Sequence, residues 1–138
     1  MNPLLSFFVA LLMLHSTPPP KTVEAQLSAL VGNRRVVVLY APTTADANYL
    51  RQKKWFDESQ SALLERDMVV IDCVGSDLSG TDAQHLKNRF QYTPSHFCLW
   101  LIGKDGGLKL SQQKAVPLSQ LFELIDSMPM RQAEMRRN

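Results

Sequence analysis

The sequence predicts an α/β fold, a mixed central sheet of about four strands flanked by helices in three layers. Three observations carry this expectation. Helical and strand-like stretches alternate along the chain. Two strand-like runs, "RRVVVLYA" and "RDMVVIDCVG", are continuously apolar rather than alternating, the mark of strands covered on both faces. Two later runs are separated by little more than "KDG", a hairpin turn signal, so the sheet should end in an antiparallel pair.

The elements follow in order. In "TVEAQLSALVG", Val23, Leu27 and Leu30 recur at helical spacing and Gly32 supplies a stop. The first strand runs through "RRVVVLYA". From Thr44 or Asp46 to about Arg66 one long helix is expected, with Tyr49, Phe56 and Leu63 repeating every seventh residue on one side. A second strand, "RDMVVIDCVG", closes in the loop "GSDLSGTD". The short helix "DAQHLKNRF" places Leu86 and Phe90 one turn apart. "HFCLWLIG" and "GLKLS" form the hairpin. Pro117 then opens a helix with the apolar stripe Leu118, Leu121, Phe122, Ile125 and Met128, ending before Pro129. A long helix between the first two strands demands a parallel, right-handed crossover. A βαβ unit, a short helix, a ββ hairpin and a closing helix make up the thioredoxin-fold arrangement.

A chain of 138 residues at ordinary composition builds one such domain without metal or disulfide support. A net charge of +2, with basic residues dispersed except for Arg131, Arg136 and Arg137, argues against a nucleic-acid partner. Residues 1–21 stand apart. Leu4 to Leu14 is almost wholly apolar yet shorter than the roughly 20 residues a spanning helix needs. This reads as a signal peptide over residues 1–16, then a Pro-rich leader over 17–21 and the domain over 22–138. An uncleaved membrane anchor is the alternative. The expectation is a secreted or periplasmic protein with no membrane contact beyond that segment.

Thioredoxin-type enzymes place a cysteine at the helix N-terminus after the first long strand, where the dipole and free N–H groups stabilise a thiolate. Here the stretch is "YAPTTADANYL", with no cysteine. Aligned on Ala41-Pro42, Thr44 occupies the nucleophile position and Ala47 the resolving one. Counting a peroxiredoxin interval from Pro42 lands on Tyr49. Thr44 lacks an adjacent base. Thr44 or Asp46 reads instead as a helix N-cap. Thr43, Thr44, Asp46 and Pro94 remain candidates for contacting a small ligand. The alternative function is a thiol-ligand enzyme that holds a glutathione-like molecule at Thr44. Fold analogy also points to a cis bond before Pro94, against a trans proline opening a strand.

Cys73 and Cys98 lie in strands that should flank the first one, too far apart for a disulfide. His15 belongs to the leader, His85 to the exposed side of a short helix, and His96 follows Pro94. None has metal-ligand spacing, so no metal, cofactor or catalytic residue is expected. "GKDGG" lacks the phosphate-loop pattern and reads as a turn with Lys104 and Asp105 exposed at its tip, where both are candidates for contacting a partner.

The stretches "RRVVVLYAP", "ERDMVVIDCVG", "LIGKDGGLKL" and "IDSMPMRQAEM" resemble the DUF4174 family, over nearly all of Leu27 to Arg136. The resemblance implies a thioredoxin-like domain without assigned activity. It also implies export, since the family includes bacterial proteins with signal peptides and domains of vertebrate matrix proteins. Within its most specific segment, Met128, Met130 and Arg131 are candidates for binding an unidentified partner. The functional expectation is an exported, non-catalytic domain acting through protein or small-ligand contacts.

Overall fold

A computed structural model describes residues 21–138, so the expectations for the leader, including His15, lie outside the described residues. The order is α1 (Val23–Leu30), β1 (Arg35–Ala41), α2 (Ala47–Asp57), α3 (Gln60–Glu65), β2 (Met68–Val74) and α4 (Gly80–Phe90). It continues with β3 (Cys98–Ile102), β4 (Leu108–Gln112), α5 (Leu118–Asp126) and α6 (Pro129–Arg137). The sheet runs β2-β1-β3-β4. β1 pairs in parallel with β2 and antiparallel with β3, and β3–β4 is the hairpin.

β1 is buried at all seven positions because helices cover both faces of the sheet. Its side chains divide by the two-residue period of a strand. Val36, Val38 and Tyr40 join Trp100 of β3 and residues of α1 and α4 in one cluster. Val37, Leu39 and Ala41 join Phe56, Leu63, Leu121 and Ile125 in the other. Truncating a central member such as Leu39, fully buried, would cost on the order of 2–5 kcal/mol.

Two elements differ from expectation. The long helix is broken after Asp57 and resumes at Gln60, with Ser59 at φ −130°. No glycine or proline marks the break. The seventh-residue spacing still holds, since Tyr49, Phe56 and Leu63 all pack in one cluster. Pro129 does not simply end the chain's helical part; it sits at the first turn of α6, where its missing N–H is harmless. Gly32, at φ +89°, performs the turn out of α1 that its position predicted.

Candidate functional site

Each end of β1 carries one set of candidate residues. At its C-terminal end the chain turns through Pro42 and the exposed Thr43, Thr44 and Ala45 into α2. Asp46 is the N-cap: its carboxylate accepts a hydrogen bond from the Tyr49 N–H at 3.0 Å. Thr43 Oγ1 accepts from the Ala45 N–H at 3.3 Å, closing its own turn. Thr44 therefore lies two residues outside the cap. Among the described residues no hydrogen bond ties its hydroxyl to a histidine or carboxylate that would activate it.

Below this turn, Tyr40 pairs with Cys73 on one side and Cys98 on the other, so β1 separates the two thiols. Both cysteines are free and buried. Burial, then the nearby Asp82 and Asp72 charges, push the Cys73 thiol up to about 12. Burial also raises the Cys98 thiol, against a smaller opposing backbone hydrogen bond. Neither matches the depressed thiol of a redox site. The Tyr40 hydroxyl donates to the Pro94 carbonyl at 2.7 Å, and the Tyr40 and Tyr92 rings meet edge to face at 4.6 Å. Pro94 is thus tied into the core by its carbonyl. Its peptide bond is trans, contrary to the fold analogy, for the described residues contain no cis bond.

Gly75 completes this end: a Cβ there would stand 2.8 Å from the Tyr40 hydroxyl and 3.1 Å from the Pro42 carbonyl. His85 is not on an exposed face. The packing of α4 against α1 leaves its side chain 17% exposed, with Nδ1 3.9 Å from Glu24 Oε2. Its Nε2 is buried without a partner among the described residues.

At the N-terminal end of β1, about 20 Å away by strand rise, the partner candidates divide. Lys104, Asp105, Met128 and Met130 line one open groove of about 340 Å³ together with Arg35 and Pro129. Met130 is 48% exposed there, while Met128 also packs against the core. Asp105 is exposed, as expected, and pairs with Lys109 at 2.8 Å. Lys104 is not exposed: its side chain folds back onto Asp67 and Glu134 and is 11% accessible. The hairpin tip is therefore anchored to the body rather than presenting a free cation.

Arg131 departs furthest from expectation. It is 1% exposed and donates to Asp126, to the Glu65 carbonyl and to the Glu65 carboxylate. Arg66 also grips Asp126, through two hydrogen bonds. Glu134 accepts from Arg35 and Lys104. Burial works against the ionised Glu134, but these hydrogen bonds and the charges behind them prevail and bring it down to about 2. The tail segment is thus a structural clamp on which Met130 is displayed. Sequence reasoning missed Arg35, Asp67 and Glu134 as its members, because their partners lie in distant elements.

This geometry defines a thioredoxin-like domain with the thiol positions of the fold empty and its two cysteines sealed in the sheet. The chain belongs to the DUF4174 family, described as a domain of unknown function, whose model matches residues 26–134. Coiled-coil domain-containing protein 80 of Danio rerio is 28% identical over 140 residues, spanning 84% of this chain and 16% of that protein. Among solved structures, the reduced 2-Cys peroxiredoxin of Plasmodium vivax aligns with a TM-score of 0.59 at 11% identity, over 78% of this chain and 84% of that one. Plasmodium yoelii thioredoxin peroxidase I aligns with a TM-score of 0.59 at 14% identity, over 78% and 79%. At such identities the likeness concerns the fold.

Proposed function

We propose that this chain is an exported, non-catalytic thioredoxin-fold domain that acts by binding a partner. The observation that carries the reading is the occupancy of the α2 N-terminus. Where redox members of the fold hold a thiolate, this helix is closed by the Asp46 carboxylate. An acceptor already sits on the Tyr49 N–H, one of the groups that would stabilise an anion, and its charge opposes one. The binding surface in this reading is the groove of Met128 and Met130, whose flexible thioethers suit an adaptable contact.

The first test is insulin-disulfide reduction and peroxide consumption by the purified protein, both expected to equal the blank. Turnover abolished by Cys73→Ala or Cys98→Ala would overturn the non-redox reading. A second test compares capture of a partner from the native compartment by the wild type and by Met130→Lys, which changes an exposed side chain. Capture should be lost in the variant. N-terminal sequencing of protein recovered outside the cytoplasm should begin near Ser16, while retention of Leu4 to Leu14 would favour the anchored alternative.

A further inference from the structure

A second groove lies on a different flank of the molecule and owes nothing to the methionines. One wall is the face of α2 that carries Arg51 and Trp55, one turn apart. The other wall is the segment from Gln112 to Pro117 that joins β4 to α5. This wall is built rather than loose. Gln52, fully buried, takes the Val116 peptide from both sides: its Oε1 accepts from the Val116 N–H at 2.7 Å, and its Nε2 donates to the Val116 carbonyl at 3.1 Å. Asn48, one turn earlier, accepts from the Ala115 N–H at 3.0 Å. Both polar amides of α2 are spent on fixing a five-residue connection whose exposed side faces Trp55.

Arg51 and Lys114 both line the groove's cavity of about 440 Å³. Trp55 and Pro117 also line a second cavity of about 240 Å³, together with Glu58, Ser59 and Leu118. On the same helix, Lys53 holds Asp72 and Lys54 faces Glu58. Arg51 and Lys114 form no ion pair among the described residues. Two cations without an ion pair thus line the same groove as an aromatic ring, a proline and a pre-set loop.

We infer that this groove binds an extended, acidic, proline-containing segment of a partner protein, its prolines on Trp55 and Pro117 and its carboxylate between Arg51 and Lys114. A polyproline II segment has three residues per turn, so a carboxylate at every third position stays on one edge while prolines face the ring. Arginine and lysine hold that carboxylate by charge-assisted hydrogen bonds. This assignment is independent of the methionine groove.

The test uses synthetic peptides of repeated Pro-Pro-Glu, Pro-Pro-Gln and Pro-Pro-Lys triplets, titrated against the intact protein. The chain has two tryptophans, and Trp100 is 1% exposed, so a binding-induced fluorescence change reports on Trp55. The glutamate peptide should bind best, with its advantage shrinking as salt is raised. Arg51→Glu with Lys114→Glu should invert the order in favour of the lysine peptide. Trp55→Phe, which removes the fluorescent reporter and is therefore titrated by calorimetry alongside the wild type, should weaken binding by about tenfold while leaving the fold intact. Equal binding of all three peptides, binding of none, or an order unchanged by the charge reversal would each overturn the assignment. So would self-association of the free protein that shields Trp55 from iodide, since the occupant would then be a second copy.

Discussion

Arg35, the first residue of β1, donates two guanidinium hydrogen bonds to the carboxylate of Glu134, 99 positions further along the chain, at 3.1 and 3.2 Å. With Lys104 and Asp67 this pair joins the start of the sheet, the hairpin tip and the last helix. Each of those contacts spans elements that no local sequence window contains together.

Stability should fall as acid titrates Glu134. Its folded value of about 2 lies below the ordinary 4.5, held there by Arg35 and Lys104 against the effect of burial. A depressed carboxylate contributes stability that is present above 4.5 and lost as pH falls towards 2. The linkage amounts to about 3 kcal/mol at most. Urea midpoints measured between pH 6 and pH 2 should show it. Glu134→Gln should be less stable at neutral pH and should flatten that pH dependence.

Arg131→Met should destabilise the protein by about 2–4 kcal/mol, because the Glu65 carbonyl loses its donor and Asp126 one of its two guanidinium partners. Amide exchange in α6 should accelerate more than in β1. Arg136→Ala, at an exposed position, should stay within about 0.5 kcal/mol of the wild type. Equal effects at the two arginines would refute the clamp.

The two thiols should be inert in the native state. With Cys73 pushed up to about 12 and Cys98 also raised, neither offers thiolate at neutral pH. Reaction with a disulfide reagent should be slow under native conditions and should titrate both thiols once the protein is unfolded. Non-reducing peptide mapping should recover Cys73 and Cys98 as separate peptides.

Gly75→Ala should displace the Tyr40 hydroxyl and cost about 1–3 kcal/mol, since the new methyl would meet it at 2.8 Å. Tyr40→Phe removes the donor to the Pro94 carbonyl and should cost about 1–2 kcal/mol. The double variant should lose less than the sum, because both changes break the same hydrogen bond. Denaturant unfolding of the three proteins gives the coupling.

Gln52→Leu should cost about 2–4 kcal/mol, as it leaves the Val116 N–H and carbonyl without side-chain partners in a buried setting. The near-ultraviolet spectrum should change in the Trp55 contribution, because the wall facing that ring is no longer fixed. Asn48→Ala, whose bond to Ala115 is less buried, should cost less.

The sequence by itself determined the alternation of strands and helices up to α5, the parallel β1–β2 pairing and the β3–β4 hairpin, the separation of Cys73 from Cys98, and a helix cap at Thr44 or Asp46 that only the structure assigns to Asp46. These follow from local causes: runs of apolar residues, turn-forming glycines, and the need of a helix start for an acceptor. The tertiary structure decided where charges and small residues act. Lys104 reads as an exposed turn residue and Arg131 as a surface contact for a partner, because lysine and arginine are usually exposed, yet both are drawn inward by carboxylates from other elements. His85 is mostly covered where α4 packs against α1, a contact between elements distant in the chain. Gln52 looks like an ordinary polar position of α2 until the fold brings the Val116 peptide to its amide. Ionic and amide contacts of this kind depend on a few ångströms of three-dimensional placement, whereas the apolar periodicity that builds the sheet is written residue by residue.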